Sequence, residues 1–313
     1  MDLDVVFLGT AGSAPTARRG LPATLIRRGG ERLLFDCGEG TQRQMIRSIG
    51  LVDVDEVFIT HFHADHVLGL PGMLKTFGLH GRERPITVYG PAGLETLFRV
   101  LAPLIGKTGY HVRIEELESG DDLDGDGYAI SAFSVAHRVP ALGYALVEDP
   151  RPGRFDERRA IELGVKPGPD FGRLQGGETV AGTDGDVSPD QVLGEERAGR
   201  RIVITGDTAP CDMTRAIADR ADLLVHEATF MHEDLARARE TGHSTARQAA
   251  MLAAEAQVRL LALTHISSRY GAGPLRDEAR AELDRTIVPR DFDRVEVPFP
   301  ERGEPVHERG PDG

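Results

Sequence analysis

Tryptophan is absent, only two cysteines and three lysines (Lys75, Lys107, Lys166) occur in 313 residues, and aromatic side chains make up just 5%. Cys37 and Cys211 form no C-x-x-C pair, and two cysteines do not make a disulfide framework, so a reducing cytoplasm is the expected compartment. No stretch approaches the ~18 consecutive apolar residues of a membrane-spanning helix, so no membrane partner is expected. Met1-Asp2-Leu3-Asp4 is acidic, and the apolar run behind it is too short to read as a secretory signal. Basic residues are scarce relative to the 50 acidic ones, and the net charge of −13 excludes a generic nucleic-acid binder unless a local positive patch exists. The acidic balance fits a salt-rich cytoplasm, where a solvated acidic surface preserves solubility; the alternative is an ordinary acidic protein biased toward arginine.

The 40% of hydrophobic residues supply a large core, and the length suits one α/β domain, residues 1–313, carrying an insertion. Leu3-Asp4-Val5-Val6-Phe7-Leu8 reads as a buried strand, and Ala23–Arg28 and Arg32–Phe35 as a hairpin around Gly29-Gly30. Gly9-Thr10-Ala11-Gly12-Ser13 is glycine-rich but lacks the Gly-Lys-Ser/Thr ending of a phosphate loop, which excludes a nucleotide-triphosphate site. Asp121–Gly127 resembles part of a calcium loop, but the twelfth position from Asp122 is Phe133 rather than Glu, so a polar hairpin turn is expected.

The chain's densest chemistry is Thr60-His61-Phe62-His63-Ala64-Asp65-His66, directly after the apolar run Val57-Phe58-Ile59. Three imidazoles and a carboxylate at a strand end are ligand types that zinc accepts, and manganese is possible. Without a metal, they would set polar groups against a core strand with nothing to offset the cost. Upstream, Phe35-Asp36-Cys37-Gly38-Glu39-Gly40 ends a strand in a tight loop. Asp36 there either stabilises the turn or orients a ligating histidine, and Cys37 reads as a small buried hydrophobe.

From about residue 150 to 198 the texture changes. Residues 151–175 carry six basic and four acidic residues (6 − 4 = +2), and residues 176–196 carry six acidic and no basic ones (0 − 6 = −6). This is either a tolerated insertion or a protruding arm with a basic tip. Downstream, Asp222–Thr229 reads as a strand ending in His226-Glu227-Ala228-Thr229. Gly242-His243-Ser244-Thr245 precedes a strong helix over Ala246–Ala254, with Ser244 as the expected N-cap. His243 thus sits at a helix start, either as a capping-loop residue or in the site. Residues 300–313 are expected to fray, with His307 solvated.

The pattern H-x-H-x-D-H resembles the signature of the metallo-β-lactamase superfamily. That resemblance implies an αββα sandwich and further ligands at later strand ends, where His137, Asp207 and His265 stand in the right order. Four motifs are similar to those of ribonuclease Z, the family of tRNA 3′-processing endonucleases. They are Phe35–Gln42, His226–Thr229, Gly242–Thr245 and Thr264-His265-Ile266-Ser267-Ser268-Arg269-Tyr270, and Gly164–Pro169 is similar to the Gly-Pro motif of that family's tRNA-binding arm. The resemblance implies two zinc ions per subunit. One would be held by His61, His63 and His137, the other by Asp65, His66 and His265, with Asp207 bridging. It also implies Asp65 as proton acceptor, His243 as proton donor oriented by Glu227, and Asp36 supporting the metal loop. Gly168, Pro169 and Arg269 would contact precursor tRNA, and the enzyme would be a homodimer in which the arm of one subunit serves the other. The reaction implied is removal of the 3′ trailer, leaving a 3′-hydroxyl on the tRNA and a 5′-phosphate on the trailer. A small-molecule phosphodiesterase or arylsulfatase of the same superfamily would share the metal site but have less use for the arm. A non-catalytic RNA-binding module is the reading from another class, and it would be favoured by a broken ligand set; all seven positions are filled.

Overall fold

The structure, a computed structural model, describes residues 1–311. Glu148–Gly199 forms one compact unit and the remaining described residues form another. In chain order the larger unit begins with β1 (Leu3–Gly9), β2 (Ala23–Arg28), β3 (Glu31–Phe35), α1 (Thr41–Ser48), β4 (Glu56–Phe58), α2 (Ala64–Val67) and α3 (Gly69–Leu79). It continues through β5 (Ile86–Pro91), α4 (Leu94–Ile105), β6 (Val112–Leu117), β7 (Asp122–Gly125), β8 (Tyr128–Ser134) and β9 (Leu142–Glu148). The smaller unit contributes α5 (Glu157–Glu162), α6 (Pro169–Gln175), β10 (Val180–Ala181) and β11 (Asp186–Val187). The larger unit resumes with β12 (Arg201–Ile204), α7 (Asp212–Ile217), β13 (Leu223–Glu227), α8 (Leu235–Thr241), α9 (Ala246–Glu255), β14 (Leu261–Thr264), α10 (Ala272–Arg280), β15 (Thr286–Ile287), β16 (Arg294–Glu296) and β17 (Val306–Glu308).

These strands build two sheets, ordered β17-β16-β1-β2-β3-β4-β5-β6 and β15-β14-β13-β12-β9-β8-β7. Alternation along each strand splits its side chains between two layers. In β1, Val5 and Phe7 enter the core between the sheets, where they join Ile26, Phe35 and Phe58 against Tyr144, Ile202, Ile204 and Val225. Val6 and Leu8 turn the other way, to Met45 of α1 and to Leu70, Met73 and Leu74 of α3. On the second sheet, Val203, Leu224 and Leu261 back onto Ala249, Ala250 and Ala253 of α9 and Leu275 of α10. The result is the four-layer αββα sandwich. Phe58 stacks between Phe35 at 4.9 Å and Tyr89 at 5.0 Å. Truncating it to alanine is expected to cost ~3–5 kcal/mol, so the strand that carries the histidine cluster is anchored at its last residue.

The smaller unit is folded rather than a structureless tether. Ala160, Val165, Leu174, Val180, Val187 and Val192 form its own core, with Phe155 and Phe171 packed against it. Asp156 caps α5 by accepting from the Arg159 amide at 2.9 Å. Gly164 has φ +86, and a Cβ there would stand 1.9 Å from Thr183 Oγ1, so only glycine fits.

Two local expectations are corrected. Thr245, not Ser244, is the N-cap of α9, in a capping box with Gln248. Ser244 is buried and spends its hydroxyl on the Thr208 carbonyl at 2.7 Å, tying two site loops together. Within the segment expected to fray, Val306–Glu308 pairs antiparallel with β16, and His307 is bonded to Asp293 at 2.8 Å. Three residues were too short to announce a strand until β16 offered a free edge.

Candidate metal centre

Five strands and their following turns converge at one end of the sandwich. β4 leads through Thr60 and His61 into α2, which carries Asp65 and His66. β8 leads to His137, β12 to Asp207, β13 ends at Glu227, and β14 leads to His265. His61, His63, His137 and Asp207 each offer a ligand atom within 4.8 Å of the others, and so do Asp65, His66 and His265. Asp207 is shared: its Oδ2 lies 3.7 Å from His61 Nε2, and its Oδ1 lies 3.4 Å from His66 Nε2 and 3.3 Å from His265 Nε2.

Three of the imidazoles are turned by what their other nitrogen touches. His66 Nδ1 is 2.7 Å from Asp36 Oδ2, His137 Nδ1 is 2.9 Å from the Gly242 carbonyl, and His265 Nδ1 is 2.8 Å from Thr229 Oγ1. Asp36 also accepts from the Thr60 amide at 2.8 Å and the Thr60 hydroxyl at 3.0 Å, so one carboxylate ties the turn after β4 to α2. The Ser13 amide donates to Asp65 Oδ2 at 2.8 Å. Ser13, Asp36 and His265 have φ of 62, 58 and 55, a left-handed backbone that costs non-glycine residues of order 1–3 kcal/mol each and clusters where function needs it.

The donor set fits a cation. His66 Nε2 and Asp207 Oδ1 are buried without a hydrogen-bond partner, and both point into the cluster. A buried orphan acceptor is costly, and two facing one another are relieved by a shared positive ion. Burial alone would raise the Asp207 carboxyl, but His265, His66 and His61 around it hold it well below the usual range.

Beside the cluster, His243 Nδ1 lies 2.7 Å from Glu227 Oε1 and 3.9 Å from Asp207 Oδ2. Burial lowers this imidazole, but the charge and bond of Glu227, with Asp207, outweigh it and raise it to about 9. Arg269 is exposed on the loop after His265. Gly168 and Pro169 belong to the smaller unit, where they open α6. Cys37 is wholly buried, with its thiol pushed up to about 12 first by burial, and it lies outside the ligand groups. Sequence reasoning gave no role to Ser13, Thr60 or Thr229. A threonine two residues beyond Glu227 on an extended segment points the same way as that carboxylate, and this is the signal that could have found Thr229.

A cluster of this composition grips divalent cations against a polar substrate, which places the protein among metal-dependent hydrolases of the metallo-β-lactamase fold. The metallo-beta-lactamase superfamily profile matches residues 19–261. The chain is 49% identical to "Ribonuclease Z" of Halorubrum lacusprofundi, over 97% of this chain and 100% of that one. It is 50% identical to "Ribonuclease Z" of Gemmatimonas aurantiaca, over 96% of this chain and 98% of that one. The crystal structure of the short form of human tRNase Z superposes with a TM-score of 0.68 at 29% identity, covering 94% of this chain and 99% of that one. The chain belongs to the ribonuclease Z family of the metallo-β-lactamase superfamily. Among the described residues no helix is long and apolar enough to cross a membrane.

Proposed function

We infer that this chain is a divalent-metal endoribonuclease that removes the 3′ trailer from precursor tRNA. The observation that carries the reading is the Glu227–His243 pair, its carboxylate buried and its ring part-buried, which shares Asp207 and His265 as neighbours with the ligand cluster. His61, His63 and His137 would hold one ion and Asp65, His66 and His265 the other, with Asp207 between them. Two zinc ions per subunit suit these ligands, and manganese is the alternative. Bound there, such ions neutralise charge on the phosphodiester and make water more acidic.

The chain's own residues supply the proton chemistry. Asp65 accepts a proton from the attacking water, whose oxygen joins phosphorus in line with the departing O3′. The P–O3′ bond breaks, and His243 gives its Nε2 proton to that oxygen while Glu227 holds Nδ1. The products are a 3′-hydroxyl on the tRNA and a 5′-phosphate on the trailer. Asp36 keeps His66 turned toward the ions through its bond to Nδ1.

Residues 148–199 act as the arm that grips tRNA. Arg154, Arg158 and Lys166 are exposed there, as are Gly168 and Pro169, and the basic side chains suit phosphate contacts that add affinity without reading sequence. Arg269 contacts a phosphate beside the metals. The working form is a cytoplasmic homodimer in which the arm of one subunit serves the substrate of the other.

The test compares cleavage of precursor tRNA and of bis-p-nitrophenyl phosphate by the full chain and by a variant lacking residues 151–196, in zinc or manganese across a salt series. Loss of tRNA cleavage with the small diester spared supports the reading. A full chain that cuts only the small diester under every condition makes the tRNA assignment wrong and points to a small-molecule phosphodiesterase.

A further inference from the structure

Thr229 carries more of the site than its position two residues past Glu227 suggests. Its side chain is buried, 4% exposed, and its hydroxyl lies 2.7 Å from Glu227 Oε2, 2.8 Å from His265 Nδ1 and 3.3 Å from His243 Nδ1. Counting donors fixes the direction of these bonds. Glu227 Oε1 accepts from the Thr208 amide at 3.0 Å and from His243 at 2.7 Å, and Oε2 accepts from the Thr229 amide at 3.1 Å. An ionised carboxylate can only accept, so the single hydroxyl hydrogen of Thr229 goes to Glu227. Only lone pairs then remain for His265. Its Nδ1 must carry the hydrogen, and its Nε2 presents a bare lone pair 3.3 Å from both Asp65 Oδ2 and Asp207 Oδ1.

We propose that Thr229 is a positioning residue whose hydroxyl joins the Glu227–His243 pair to His265 and holds His265 in the tautomer that can ligate a metal. This rests on the metal reading of the cluster above. Through one oxygen, the group that orients the proton donor and the ring that faces the ions are kept in register. Neither can turn without breaking its bond to the shared Thr229 oxygen.

A purely structural threonine would be kept for its branched shape, whereas this role needs its hydroxyl. The experiment separates the two by measuring zinc per subunit and zinc affinity, through competition with a chromogenic chelator, in the wild type, Thr229→Val and Thr229→Ser. Circular dichroism reports folding. Thr229→Val is expected to bind zinc about 10–100-fold more weakly, the range for losing a partner of a ligating histidine, and Thr229→Ser to bind as the wild type does. Valine that retains wild-type affinity, or serine that loses affinity as valine does, overturns the proposal. If valine prevents folding, serine decides: wild-type affinity upholds the role and a loss refutes it. A wild-type chain that binds no zinc overturns the metal reading and this role with it. One that binds zinc but leaves precursor tRNA uncut refutes only the substrate assignment, because the zinc comparison involves no RNA.

Discussion

Glu227 Oε1 and His243 Nδ1 stand 2.7 Å apart, with Glu227 1% exposed at the end of β13 and His243 in the turn before α9. The carboxylate receives four hydrogen bonds, so the ring's orientation is set before any substrate arrives. Glu227→Gln offers one accepting oxygen and one donating amide group in place of two accepting oxygens, so its NH2 faces donors and the set is disturbed. It is expected to lower kcat for precursor tRNA by about 10²–10⁴-fold, the usual worth of a positioned acid or base. Metal content is measured alongside, because the same carboxylate sets the Thr229 hydroxyl that turns His265. Single-turnover cleavage with metal analysis checks this, and unchanged kcat would remove the pair from the mechanism.

Gly12 touches the site through space it leaves empty. A Cβ there would lie 2.5 Å from His265 Nδ1 and 2.7 Å from the His265 carbonyl oxygen. Gly12→Ala should therefore push the ring away from Thr229 and weaken metal binding, by about 10–100-fold if the lost bond has the value usual for such partners. Chelator competition reads this directly.

Asp293 holds the C-terminal strand pair. It accepts from His307 Nε2 at 2.8 Å, the Arg290 amide at 2.9 Å and the Gly310 amide at 3.0 Å. Burial raises its carboxyl, but these bonds outweigh it and leave the folded-state pKa below the ordinary value. A depressed carboxylate stabilises the fold above its unfolded pKa, about 3.9, and loses that contribution as pH falls through the folded value. Asp293→Asn should cost roughly 1–3 kcal/mol at neutral pH, as for a bond network to a charged acceptor. The gap to wild type should close below about pH 4. Urea melts across pH 3–7 test it, and a gap that persists in acid would contradict the assignment.

The net charge of −13 predicts a protein that is more stable in concentrated salt. Screening shortens from about 10 Å at 0.1 M to about 3 Å at 1 M, which relieves self-repulsion. Tm is expected to rise from low to molar KCl. A flat profile would mean that acidic and basic groups are already balanced locally.

The residues of the site differ in how much of their role was open to sequence. His61, His63, Asp65 and His66 fall within six positions after a strand, so their density alone announced a metal site. His137, Asp207 and His265 carry no such local signal and were placed by family resemblance. The strands that deliver them were legible because buried strands read as short apolar runs, and α9 because alanine-rich helices declare themselves. Among the short elements, the apolar run Val57-Phe58-Ile59 announced β4, but β17 was not legible. β17 exists because β16 leaves an edge to pair with, and its register is a property of the sheet.

What the sequence by itself determined is the kind of atoms available: imidazoles and carboxylates at strand ends, a net negative charge, and an inserted segment of opposite charges in its two halves. What only the tertiary structure decided is how those atoms are aimed. The Ser13 amide reaches Asp65 across 52 positions, and the Thr229 hydroxyl reaches His265 across 36. Serine and threonine have many ordinary uses, so nothing in their local pattern marks them. Their roles arise when strand order brings distant turns together and the count of donors and acceptors leaves one arrangement satisfied.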